Sequence, residues 1–287
     1  MGKIRIGLSG WSYDEWQGVF YPDDLPDDHR LGYAATAFDT IEVNGTFYSL
    51  TDPESCRRWR QSAPAGFKFA VKGSRYITHM HRLREVGTGL ANFFASGVLE
   101  LGDMLGPLLW QLPADLPFDA ELMDSFLGML PRDTSAAAEL ARKHDERVRS
   151  VSYGGEKRHR LRHVLEFRHE SFMQPEMARI ARRHGVALCT SQSGEWLLVE
   201  EITAGFIYLR LHGPGKLYAS AYSSEEMEHW ASRISAWQAG VIPSGSKRIS
   251  SQSPPRRKER DVYVYFDNTA SGHAPRQALE LRRMVTG

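Results

Sequence analysis

Cysteine is nearly missing from this chain. Cys56 and Cys189 are the two among 287 residues, far apart and without C-x-x-C spacing. A thiolate zinc site is thereby excluded, and no disulfide framework is expected. Two buried free thiols in a reducing cytoplasm fit instead. Net charge is equally scarce: 36 Lys and Arg against 35 Asp and Glu leave a formal +1. No general basic field gathers nucleic acid, which is not the expected partner. No uninterrupted apolar run reaches the length of a membrane span. The start, "MGKIRIGLSGW", enters a strand-like run with no apolar leader region or cleavage site, so neither signal peptide nor membrane contact is expected and the location reads as cytoplasmic. No G-x-G-x-x-G turn follows any strand-like run, and H-E-x-x-H is absent. No internal repeat is visible.

What is present is a rhythm. Eight short apolar runs recur: "IRIGLSGW", "DTIEVNGTFY", "GFKFAVKGS", "GPLLWQLP", "HVLEFRH", "VALCTSQS", "GFIYLRLHG" and "DVYVYFDN". Amphipathic segments precede most of them, such as "PESCRRWRQSAP", "GLANFFASGVLELGDML", "DAELMDSFLGML", "PEMARIARRHG" and "SSEEMEHWASRISAWQAG". Gly or Pro closes several, as helix stop signals do. Alternating strands and helices predict parallel β-α units, and eight of them in about 250 residues predict a TIM barrel, (β/α)8, as one domain over residues 1–287. Two stretches interrupt the rhythm. Thr134 to Arg162 reads as a charged helix and then a loop, a solvated surface. Pro243 to Arg260, "PSGSKRISSQSPPRRKER", has no apolar periodicity and predicts a flexible basic loop.

In a parallel barrel both faces of a strand are buried, so a charge finds an outlet at the C-terminal end, where barrel enzymes keep their active sites. Period-two alternation points Glu42 and Asn44 one way and Ile41 and Val43 the other. The third strand contributes Lys72, the fourth Gln111, the fifth Glu166 and Arg168, and the seventh Arg210 and His212. The last run ends in Asp267 and Asn268, and alternation does not decide which points inward. Any one of these has a plain structural explanation, such as a buried ion pair between Glu166 and an arginine. Polar groups closing six strands together point to a site.

The blocks "GLSGWSYDEWQGVFYP", "IEVNGTFYSL", "FKFAVKGSRYITH", "LGPLLWQLP", "LEFRHESF", "LRLHGPGKLYASAYSSEEMEHWA" and "YVYFDN" resemble, in order, the signature blocks of the YecE-like proteins, a bacterial family of unknown function. The resemblance implies a TIM barrel with a polar pocket at its C-terminal end, and no known reaction. It places the family's recurrent polar positions on Trp11, Tyr13, Trp16, Glu42, Asn44, Thr46, Phe47, Tyr48, Lys72, Thr78, His79, Gln111, Glu166, Arg168, Arg210, His212, Tyr218 and Tyr222. One departure stands out: the family's last strand usually ends in two asparagines, and here it reads Asp267-Asn268.

Lys72, Arg168 and Arg210 supply cations suited to phosphate or carboxylate, and His212 moves protons near neutral pH. The expected function is acid/base catalysis on a small anionic metabolite, a sugar phosphate or sugar acid. Glu166 and His212 would share the proton transfers, Arg168 and Arg210 would clamp the anion, and Lys72 would stabilise an oxyanion. Asn44, Gln111, Trp11, Tyr13, Tyr48, His79, Tyr218, Tyr222, Asp267 and Asn268 would line the ligand. No metal or other cofactor is expected. A metal-dependent isomerase or hydrolase and a non-catalytic nucleotide- or RNA-binding module are the alternatives.

Overall fold

A computed structural model of the chain describes residues 2–286. Among them are nine strands, and every pairing register given is parallel. They are β1 (Ile4–Ser9), β2 (Thr40–Val43), β3 (Lys68–Lys72), β4 (Leu105–Gln111), β5 (His163–Glu166), β6 (Ala187–Leu188), β7 (Thr190–Gln192), β8 (Phe206–Leu211) and β9 (Asp261–Phe266). This is the parallel β/α architecture of the TIM-barrel type. All eight apolar runs contain strand. The count rises to nine because the sixth run breaks at Cys189 into two short pieces.

The chain packs as two compact units. One holds the chain up to Glu42 and again from Met173 onward, and the other is Val43–Phe172. In the first, β1 pairs with β2 on one side and β9 on the other, and β8 lies between β9 and β7. The β1–β2 approach is close enough to dictate sequence: a Cβ on Gly7 would sit 1.7 Å from the Thr40 carbonyl oxygen. In the second unit β4 lies between β3 and β5.

The helices start where side chains can replace missing backbone partners. Asp52, Asp119 and Asp133 each accept from the backbone N–H three residues on, and Ser223 and Glu226 form a reciprocal capping box. Gly185, at φ 65°, ends helix Pro175–His184 in the left-handed region. The segment expected to form one helix over 89–105 divides instead. Helix Gly87–Ala95 stops before Gly97 (φ 113°), and a 3-10 stretch, Val98–Met104, follows. After Thr134 the helix runs only to Ala141. No helix among the described residues is long and apolar enough to cross a membrane.

Two buried glutamates hold part of the basic segment 243–260. Glu200 and Glu201 are both buried and reach into it. Glu200 accepts from the Lys247 backbone N–H at 2.8 Å and from Arg233. Glu201 accepts from the backbone N–H groups of Ile249 and Ser250, each at 3.0 Å, and meets Arg182 and Arg248. Anchors of this kind need no apolar surface, so hydropathy does not reveal them.

His163 shows how the second unit satisfies a buried imidazole. The Trp110 indole N–H donates to Nδ1 at 3.1 Å, so Nε2 carries the hydrogen and donates to the Pro131 carbonyl at 2.7 Å. Burial pushes this imidazole down to about 4.

Two outcomes follow. Glu201→Ala should lower the unfolding free energy by about 3 kcal/mol, the low end for stripping one partner from a buried pair, because both arginines keep some solvent. Urea titration measures it; a change within about 0.5 kcal/mol would make the anchor ornamental. For His163, the unfolded ring titrates near its ordinary value of about 6.5 while the folded ring stays neutral down to about 4. The unfolded state therefore takes up a proton first as pH falls. Stability from this group is full above pH ~6.5 and declines by roughly 3 kcal/mol on the way to pH ~4. His163→Gln should flatten that part of the stability–pH curve.

Candidate functional site

Each unit gathers polar side chains at the carboxyl ends of its strands. In the first unit the centre is Glu42, in β2, with no exposed surface. Arg210, in β8, meets it at two points, Nε to Oε2 at 3.1 Å and Nη2 to Oε1 at 2.8 Å. The Tyr208 and Ser9 hydroxyls donate to the same carboxylate, each at 2.5 Å. Four donors on one carboxylate make this burial tolerable. Tyr208 is itself held well above the ordinary phenol range, by burial first and then by the charge of Glu42.

Asp267 extends the network. It follows β9 directly, and its Oδ2 lies 2.9 Å from Arg210 Nη2 and 2.8 Å from His212 Nδ1. The last contact is short but bent. His212 Nε2 lies 3.0 Å from the Ser191 hydroxyl and 3.4 Å from Arg210 Nη1. Alternation left the inward residue of the Asp267-Asn268 pair open. It is Asp267 that meets Arg210 and His212, while Asn268 donates to Ser220 and Gln277.

The aromatic residues of this unit surround the network. Tyr13 donates to the Ser9 carbonyl at 2.6 Å, and its phenol is raised by burial first and then by Asp267. Trp196 and Tyr218 make T-shaped contacts with the His212 ring, with centroids at 4.7 and 5.5 Å. Tyr218 adopts φ 61°, an uncommon backbone state outside glycine. The Tyr222 hydroxyl accepts from Gly213 N–H at 2.9 Å and bonds Gln192. Trp11 supplies its carbonyl to Tyr21.

In the second unit, Lys72, Gln111 and Glu166 are the last residues of β3, β4 and β5. Gln111 stands in register with Glu166. Arg168, just past the strand, folds back onto Glu166, with Nε and Nη2 at 3.2 and 3.1 Å from Oε1. Residues two apart therefore share a face, as alternation requires. The Lys72 ammonium sits 4.4 Å from the centre of the Phe47 ring. Thr46 donates to the Lys72 carbonyl at 2.7 Å, tying β3 to the short helix Gly45–Tyr48 that Asn44 precedes. Tyr48, on that helix, is 66% exposed. His79 lies on a π-helical turn, Tyr76–Met80, a distortion frequent at functional sites. Its imidazole is held below the usual histidine range, by burial first, then by Lys72 and Arg168. His79 and His81 are two apart, yet no group of three or more His, Cys, Asp or Glu side chains that could hold a metal occurs among the described residues.

Of the residues anticipated from sequence, Glu42, Arg210, His212 and Asp267 meet in one unit, and Lys72, His79, Gln111, Glu166 and Arg168 cluster by contact, register or charge in the other. Three participants were missed. Tyr208 was legible, since it shares the period-two face of Arg210 and His212. Ser9 and Ser191 close or nearly close their strands, but serine raises no alarm where a charge does.

Comparison with known proteins fits this picture. The family model described as "Protein of unknown function DUF72" matches residues 5–287. The UPF0759 protein YecE of Escherichia coli (strain K12) is 30% identical over 143 residues, 48% of each chain. The UPF0759 protein YunF of Bacillus subtilis (strain 168) is 27% identical over 79 residues, 28% of this chain and 27% of that one. The matches thus span about half the length of the E. coli relative and about a quarter of the B. subtilis one. Solved DUF72 family proteins are similar over the whole chain. The one from Thermotoga maritima has a TM-score of 0.74 at 21% identity, covering 99% of this chain and 100% of that one. One from Enterococcus faecalis has a TM-score of 0.69 at 16% identity, covering 99% and 96%. At such identities the likeness carries the fold, while the family model spans nearly every residue: this chain belongs to the DUF72, or YecE-like, family.

Proposed function

We propose that the protein is an enzyme acting by acid/base chemistry on a small molecule whose phosphate or carboxylate binds at the carboxyl ends of β3, β4 and β5. The observation that carries this reading is the charge around His79. After burial itself, Lys72 and Arg168 are the largest influences lowering its affinity for a proton; Arg82 acts the same way, and Asp115 opposes. An imidazole with lowered proton affinity, beside the buried Lys72 and the half-buried Arg168, is an arrangement suited to receiving negative charge. Lys72 supplies a point charge steadied by the Phe47 ring. Arg168 supplies a planar fork matched to carboxylate or phosphate, with Glu166 holding it in place. Gln111 adds an uncharged donor. Glu166 is the candidate base and Lys72 the candidate stabiliser of a developing oxyanion.

The residues of the other unit take different parts in this reading. Arg210 is 2% exposed and committed to Glu42 and Asp267, so it orders carboxylates instead of clamping the anion.

Inorganic phosphate should raise the melting temperature of the wild type, and Arg168→Lys, which keeps the charge but loses the fork, should weaken that gain about tenfold in apparent affinity. The second readout is the His79 ring resonance across a pH titration. A bound anion favours imidazolium, so phosphate should move the His79 pKa upward, and by linkage phosphate should bind more tightly as pH falls through that titration. A His79 resonance unmoved by phosphate and by simple sugar acids, with melting unchanged, would overturn the reading.

A further inference from the structure

We propose that Ser191 is an activated nucleophile, with His212 as its general base and Asp267 as the positioning carboxylate, and that its substrate is a small carboxylic ester. The inference does not rest on the anion site, since it uses other residues in the other unit. Three elements assemble it. Ser191 lies in β7 in register with Arg210 of β8. His212 follows β8, and Asp267 follows β9. Ser191 Oγ is 3.0 Å from His212 Nε2, and Asp267 Oδ2 is 2.8 Å from His212 Nδ1.

The neighbours decide the tautomer. Asp267 Oδ2, 2.8 Å from Nδ1, can only accept, so Nδ1 carries the hydrogen and Nε2 keeps its one lone pair for the Ser191 hydroxyl at 3.0 Å; Arg210 Nη1 approaches that nitrogen at a longer 3.4 Å. That is the tautomer a base needs to take a proton from a hydroxyl at Nε2. Arg210 Nη2 also holds Asp267 Oδ2, the same oxygen that approaches His212, at 2.9 Å. Catalytic hydrogen bonds that are poorly aligned in a free protein commonly straighten when substrate binds. The groups facing His212 are Ser191, Arg210, Asp267 and the rings of Trp196 and Tyr218; Glu42 and Tyr13 reach it through Arg210 and Asp267.

The step balances without a co-reactant other than water. Ser191 Oγ bonds to the ester carbonyl carbon as its proton passes to His212 Nε2, and the carbonyl pair moves onto oxygen. The tetrahedral adduct collapses, the bond to the leaving alcohol oxygen breaks, and the Nε2 proton goes to that oxygen. Water repeats the sequence on the acyl-serine, giving a carboxylic acid and free Ser191. Ser191 is 6% exposed and half-buried Trp196 covers the imidazole edge, so the ester must be small.

The test uses p-nitrophenyl acetate on the full chain, read as p-nitrophenolate release and as acetyl mass on the peptide containing Ser191. Acetylation of Ser191 is expected in the wild type, faster in Trp196→Ala, and absent at that position in Ser191→Ala, which removes a single oxygen. Asp267→Asn should acylate on the order of a hundredfold more slowly, because its amide can donate to Nδ1 and turn the lone pair away from Ser191. The pH profile separates positioning from mere structure. Acylation should rise with pH along one ionisation, and that ionisation should move to lower pH in Asp267→Asn, where imidazolium loses its carboxylate. No acetyl on Ser191 in both the wild type and Trp196→Ala, or an Asp267→Asn rate and profile equal to wild type, would overturn the proposal.

Discussion

Arg210 is the group on which the polar interior of the first unit depends. One guanidinium pairs with two buried carboxylates, Glu42 and Asp267, and stands near His212 as well. Removing it would leave both anions without their shared counter-charge, and a buried charge deprived of its partner costs several kcal/mol. The same principle says that such a network is a poor way to gain stability. Apolar side chains of equal volume would often do as well or better. A carboxylate surrounded by an arginine, a tyrosine and a serine is the kind of preset polar arrangement that the proposals above call for.

The two units handle charge differently. In the first, carboxylates are buried and cations and hydroxyls gather round them. Glu42 does this at the strand ends, and Glu200 and Glu201 do it again beneath the segment 243–260. In the second, the cations Lys72 and Arg168 press on a histidine, and burial holds His163 neutral. What differs is the company each histidine keeps: cations beside His79, a carboxylate beside His212.

Much of this was legible in the sequence because strands impose a period of two. Apolar runs marked the strands, and alternation brought Arg210 with His212, and Glu166 with Arg168, to common faces. Legibility failed where no periodic signal exists. Cys189 interrupts the sixth run without a proline or glycine to announce it. Gly97 and Gly102 divide an apolar stretch that reads as one helix. Glu200 and Glu201 look like surface glutamates, and only the chain folding back at 247–250 makes them anchors. Ser9 and Ser191 were overlooked because a hydroxyl costs little to expose, so its burial leaves no mark on hydropathy. Which of Asp267 and Asn268 faces inward depends on the exit direction of the last strand, which lies outside any pattern of alternation.

The acidic end of the last strand has an evolutionary consequence. Aspartate and asparagine codons differ by one base, so Asp267 is a single step from an amide. The two side chains are nearly equal in size, and the step disturbs no packing. It exchanges an anion for a neutral donor between a fixed cation and an imidazole. A lineage can thus shift the proton affinity of its most buried histidine without rebuilding the scaffold around it, and reverse the shift as easily.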